Sequence, residues 1–90
     1  MMRMHDLKIR PEHFAAVVNG QKKAEFRLND RGYCVGDLLC LHEFGQHPEF
    51  DHLEGFLGNH VWVRITHITN LEEWLSGYVM LSIEREPFSC

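Results

Sequence analysis

At Gly20 the hydrophobic period of this chain changes, and that change limits what it can fold into. Before it, Phe14, Val17 and Val18 recur at helical spacing behind Pro11. A proline suits the first turn of a helix, where an amide hydrogen would have no partner. After it, Ala24, Phe26 and Leu28 alternate with Lys23, Glu25 and Arg27, which is the period of a strand. Glycine ends a helix at least cost because it reaches positive φ without a Cβ. A short helix (11–19) therefore hands over to a strand that runs to about Leu28. Three charged side chains line one face of that strand, and Lys22 stands at the turn leading into it. Backbone pairing holds such groups more firmly than a loop does, so this segment is the candidate binding site.

The remaining segments are mostly strands. Leu7-Lys8-Ile9 reads as a short strand stopped by Pro11, and Val35-Gly36-Asp37 as the tight turn before a strand from Leu38 to about Phe44. Residues 45–59 have no period and read as a long connection. From His60 to Thr69 the alternation is clearest, with Val61, Val63 and Ile65 on one side and Trp62, Arg64 and Thr66 on the other. Asn70 is placed to cap a short helix whose apolar stripe is Leu71, Trp74 and Leu75, with Gly77 closing it. Trp74 is expected in the core. Tyr78 to Glu84 is a last strand with Val79, Leu81 and Ile83 inward. The order β-α-β-β-β-α-β predicts a mainly β, α+β fold in one domain over 1–90, a partly closed barrel covered by two short helices.

Ninety residues suffice for one modest core. No apolar run approaches a membrane span and the first residues lack a signal peptide's apolar stretch, so no membrane partner is expected. Three cysteines in no metal-type spacing fit reduced thiols in a cytoplasmic protein, with Cys90 exposed. The net charge of −4 argues against strong nonspecific nucleic-acid binding. Its distribution is uneven: residues 1–31 carry seven bases against four acids, whereas residues 32–90 carry Arg64 and Arg85 against nine acids. A basic third on an acidic body is compatible with a local anion or phosphate site, and equally with plain charge segregation.

Gly20-x-Lys22-x-x-Glu25-x-Arg27, followed by Val35-Gly36-Asp37 opening a strand, resembles the signature of ASCH domains in the PUA-like superfamily. The chain resembles most a small bacterial and phage ASCH-like group, through His5-Asp6-Leu7-Lys8, Asn29-Asp30-Arg31 and Gly77-Tyr78-Val79-Met80-Leu81-Ser82-Ile83. The resemblance spans nearly the whole chain. It implies a five- or six-stranded pseudo-barrel, RNA or nucleotide-like small-molecule partners, and a cleft lined by Lys22, Glu25 and Arg27. Asn29 and Arg31, in the loop just after the motif, are added as candidate ligand-binding positions, although by composition they are ordinary loop residues. Lys22 and Arg27 would hold phosphate, and Glu25 would accept from an exocyclic base amine.

One ASCH branch comprises acetylcytidine amidohydrolases, which pair the motif lysine with a threonine where this chain has Glu25. Here a catalytic role, if there is one, would fall to Lys22 and Glu25, with the glutamate activating water. A ribonuclease using Lys22, Arg27 and Arg31 is a further enzymatic alternative, and a protein-interaction module is the alternative from another class. The bland reading of Glu25 and Arg27 is a same-face charge pair, worth well under about 1 kcal/mol if exposed. Trp62 and Tyr78 are candidates for base stacking, though core packing is the commoner role for aromatics in so small a domain. His42, His47 and His52 recur at intervals that match no familiar zinc pattern, so no metal and no cofactor are expected.

Overall fold

The computed structural model describes residues 2–86; Cys90, expected to be exposed, lies outside them. Five strands and one helix form in the order β1 (Met4–Ile9), α1 (Pro11–Val18), β2 (Ala24–Leu28), β3 (Leu38–Gln46), β4 (Glu54–Asn70) and β5 (Tyr78–Arg85). They make one sheet with the spatial order β1-β3-β4-β5-β2. β1 runs parallel to β3, and the other pairings are antiparallel. The sheet curls into a half-closed pseudo-barrel, mainly β in the α+β class. Among the described residues no helix is long and apolar enough to cross a membrane.

Alternation sets the core. Leu7 and Ile9 of β1, Leu39 and Leu41 of β3, Val61, Val63 and Ile65 of β4, and Val79, Leu81 and Ile83 of β5 are buried together inside the curl. Val17 of α1 joins them, with Phe14 packed against the cluster. A bulge carries β4 around the bend. Ile65 pairs with Ile83, but His67 pairs with Ser82, so one extra residue sits in β4 at Thr66. The inward parity therefore passes from Val63 and Ile65 to Ile68, which lies opposite Leu81. An extra residue on one strand sharpens the local twist, and that is how a small sheet turns back on itself.

Two segments differ from their sequence-based expectations. Residues 45–59 are not an aperiodic connection: β3 and β4 continue as a hairpin arm through Phe44↔Phe56 and Gln46↔Glu54. The period is hidden because the pairing slips between His42 and Phe44, and Gly58 adopts φ +90° in the longer strand. The second helix is reduced to a single turn, in which the Trp74 and Leu75 amides both donate to Leu71 O. Asn70 does cap it, accepting the Glu72 amide at 2.7 Å. With so short a helix the stripe has no core to face, and Trp74 is 74% exposed rather than buried.

Gly45 is where the arm passes α1. A Cβ there would stand 2.6 Å from Cγ of Pro11, a rigid ring that cannot swing aside. Gly45→Ala is expected to destabilise the protein by about 1–3 kcal/mol through overpacking. Gly55→Ala, with nothing within 4 Å of its added methyl, is expected to do much less. Urea denaturation of the two variants distinguishes a clash from a generic glycine effect.

Candidate functional site

The end of α1 is what delivers Lys22. Gly20 leaves the helix at φ +83°, and the amides of Gln21 and Lys22 both donate to Ala16 O at 2.9 Å. The chain is thereby folded back before β2 begins. In β2 the alternation places Glu25 opposite Leu81 and Arg27 opposite Val79, residues of the barrel interior. The charged face of this strand thus turns inward, while the apolar one turns out: Phe26 and Leu28 are about half exposed, and Phe26 stacks on Tyr78 at 4.9 Å.

Glu25 is 5% exposed, a buried carboxylate between two cations. Arg27 Nε donates to its Oε2 at 2.9 Å, and Lys22 Nζ stands 3.6 Å from its Oε1. Arg27 continues past it, donating from Nη2 to the backbone carbonyl of Lys8 at 2.6 Å. Arg31 does the same one step along, from Nη1 to Asp6 O at 3.1 Å. Asp6 and Lys8 lie two apart on β1, so both carbonyls belong to the edge that does not pair with β3. The two guanidiniums therefore stand in for a missing neighbour strand, while most of their N–H donors stay uncommitted.

Arg27 and Arg31 share a surface groove of about 360 Å³ with Asp6, Lys8, His42 and Phe56. Phe56 is 63% exposed there, and Lys8 Nζ lies 4.4 Å from the centroid of the neighbouring Phe44 ring. Lys22 lines a different recess, with Lys23, Thr66 and Arg85, and meets Arg27 only through Glu25. Asn29 lines neither: its side-chain oxygen accepts the Tyr33 amide at 3.2 Å and its own amide donates to Gly77 O. Trp62 is half-buried and borders neither space. Lys8, His42 and Phe56 were not legible as site residues. Lys8 is marked by its alternation with Leu7 and Ile9 and by its place in the His5-Asp6-Leu7-Lys8 opening, neither of which points to a groove, and Phe56 falls in the stretch without a visible period.

A second polar cluster supports the site from below. Asp37, 1% exposed, accepts from the Arg3 amide at 3.1 Å and the Cys34 amide at 3.0 Å, and its Oδ2 lies 2.9 Å from His5 Nε2. Its backbone carbonyl also takes the Ile65 amide. Desolvation pushes the carboxyl upward, but the His5 hydrogen bond and the two amides outweigh it and hold Asp37 below the usual carboxylate value. His5 in turn meets the buried Tyr33 edge-on at 5.0 Å. Burial is the main influence on that phenol and raises its pKa. The turn residue Asp37 is thus the anchor of β1, whose carbonyls the arginines use.

The model of the family described as a domain of unknown function, DUF3850, matches residues 4–83. A protein of Escherichia phage P2, described as an uncharacterised 12.9 kDa protein in the GpA 3′ region, is 42% identical over 81 residues. That match covers 90% of this chain and 68% of the phage protein.

Two substitutions test the framework. Glu25→Ala removes a buried carboxylate from between two partly buried cations, and a loss of about 2 kcal/mol is expected in chemical denaturation. Asp37 has a depressed folded pKa, so its stabilisation is fully present above the unfolded value of about 3.9 and is lost as pH falls through the folded value. Asp37→Asn is expected to cost about 2 kcal/mol at neutral pH. It should also flatten the fall in urea midpoint below about pH 4.

Proposed function

Since the chain belongs to the DUF3850 family, its function has to be read from its own geometry, and we propose that it binds RNA or a nucleotide-like ligand in the groove along β1. One observation carries this: Arg27 and Arg31 lie on the same groove as the exposed ring of Phe56. A guanidinium recognises phosphate oxygens through paired N–H donors, and an open aromatic face accepts a base by stacking. Lys8 adds a third cation to the wall. The resemblance to ASCH domains supports the same class of ligand. It also accounts for a basic N-terminal third in a chain whose net charge is −4, since a local cationic patch serves a local contact.

Glu25 serves the site by fixing Arg27. With Nε held by the buried carboxylate and Nη2 by Lys8 O, the plane of the guanidinium is set before a ligand arrives. Such fixing lowers the ordering cost of binding. A hydrolase is the second reading, favoured by the closeness of Lys22 to the buried Glu25, and it uses the recess beside Lys22 instead of the groove.

The experiment is an NMR titration of labelled protein with short single-stranded RNAs, nucleotides and nucleosides, acetylcytidine included. Amide shifts are expected at Lys8, Arg27, Arg31 and Phe56, with an affinity that falls as salt rises. Arg31→Ala and Phe56→Ala should each weaken binding about tenfold. Product formation from acetylcytidine or RNA that disappears in Lys22→Ala would favour the hydrolase. Unperturbed spectra across the panel would remove the nucleic-acid reading and leave a protein-interaction module.

A further inference from the structure

The outer face of the sheet brings together three ligand types that no local spacing connects. Asp6 of β1 pairs with Cys40 of β3, and His42 follows two residues along the same face of β3. The donor atoms of the three side chains all lie within 4.8 Å of one another, and His42 Nε2 stands 2.9 Å from Asp6 Oδ1. Ligands of a tetrahedral zinc ion sit roughly 3–4 Å apart, given bonds of about 2.0–2.3 Å. The three donor atoms therefore stand close to the spacing that a shared ion requires.

We propose that Asp6, Cys40 and His42 form a site for one divalent transition-metal ion of borderline softness, such as zinc. The donor set excludes the hard alternatives, because magnesium and calcium take oxygen ligands and gain nothing from sulfur or imidazole. A carboxylate and a thiolate balance the charge of a divalent ion, and the thiol proton leaves to solvent as the metal binds. Burial also differs usefully across the three. Cys40 is 3% exposed and closes one side, whereas Asp6 and His42 both line the groove. The fourth coordination position then faces the groove, where water or a ligand oxygen completes it. Three protein ligands with one open position is the arrangement of reactive zinc sites, as distinct from closed structural ones.

The site is tested with cobalt(II) as the probe, in protein carrying Cys34→Ser and Cys90→Ser so that Cys40 is the one thiol left of three. The expected result is one equivalent bound, with a thiolate-to-cobalt charge-transfer band that zinc bleaches on competition. Cys40→Ala should abolish the band. Because that side chain is buried, the deciding variants are Asp6→Asn and His42→Ala, on side chains that reach the surface. Each should weaken cobalt binding at least about tenfold with the amide spectrum still folded. Absence of the band in folded protein would overturn the proposal. So would binding that survives both variants and is lost in His47→Ala or His52→Ala, since that places the metal on the tip of the hairpin arm.

Discussion

A five-stranded sheet that curls only halfway leaves two edges, and the structure depends on how they are joined. β1 and β2 are the outermost strands of the order β1-β3-β4-β5-β2, and they face each other across a gap without a backbone ladder. An open edge presents unpaired carbonyls and invites pairing with another chain. Here Arg27 and Arg31 donate to Lys8 O and Asp6 O, and Arg3 donates to the carbonyls of Arg31 and Gly32. Guanidiniums reach farther than a neighbouring amide, so the seam is joined and still leaves space between the strands. That space is the groove.

Closure by side chains explains why a charged face points inward. Arg27 reaches β1 only from the interior side of β2, and a cation there requires a counter-charge close by. Glu25 supplies it, buried and held between Arg27 and Lys22. A buried ion pair contributes little net stability when compared with apolar packing, because both charges lose their water. Its value lies in orientation, since removing either partner strands the other. The same logic applies at Asp37, where one carboxylate gathers His5 and two amides and holds β1 in place for the arginines to use. Framework and candidate site are in this sense one hydrogen-bonded system.

Much of the architecture was legible from residue order. The stop at Gly20, the alternation of β4 and β5 and the cap at Asn70 all depend on neighbours within a few positions. Segments governed by long-range pairing were not. The hairpin arm through Phe44 and Phe56 keeps no readable period because its register slips, and Trp74 is exposed because the turn carrying it has nothing to pack against. Lys22, Glu25 and Arg27 were identifiable as a group, yet the split of Lys22 from the Arg27–Arg31 groove was not. Neither was the meeting of Asp6, Cys40 and His42, which lie on two strands joined by parallel pairing.

By itself the sequence determined the helix 11–18, the strand β2 and the alternation within β1, β5 and the inner parts of β3 and β4, since those follow from backbone periodicity and local steric limits. It left open which face of β2 turns inward. Hydrophobicity alone favours burying Phe26 and Leu28, but the tertiary structure buries Glu25 and leaves those two about half exposed. The physical reason is that the unpaired edge of β1 lies across the gap. Only the charged face carries a donor long enough to reach it, and the interior supplies the carboxylate that makes this tolerable.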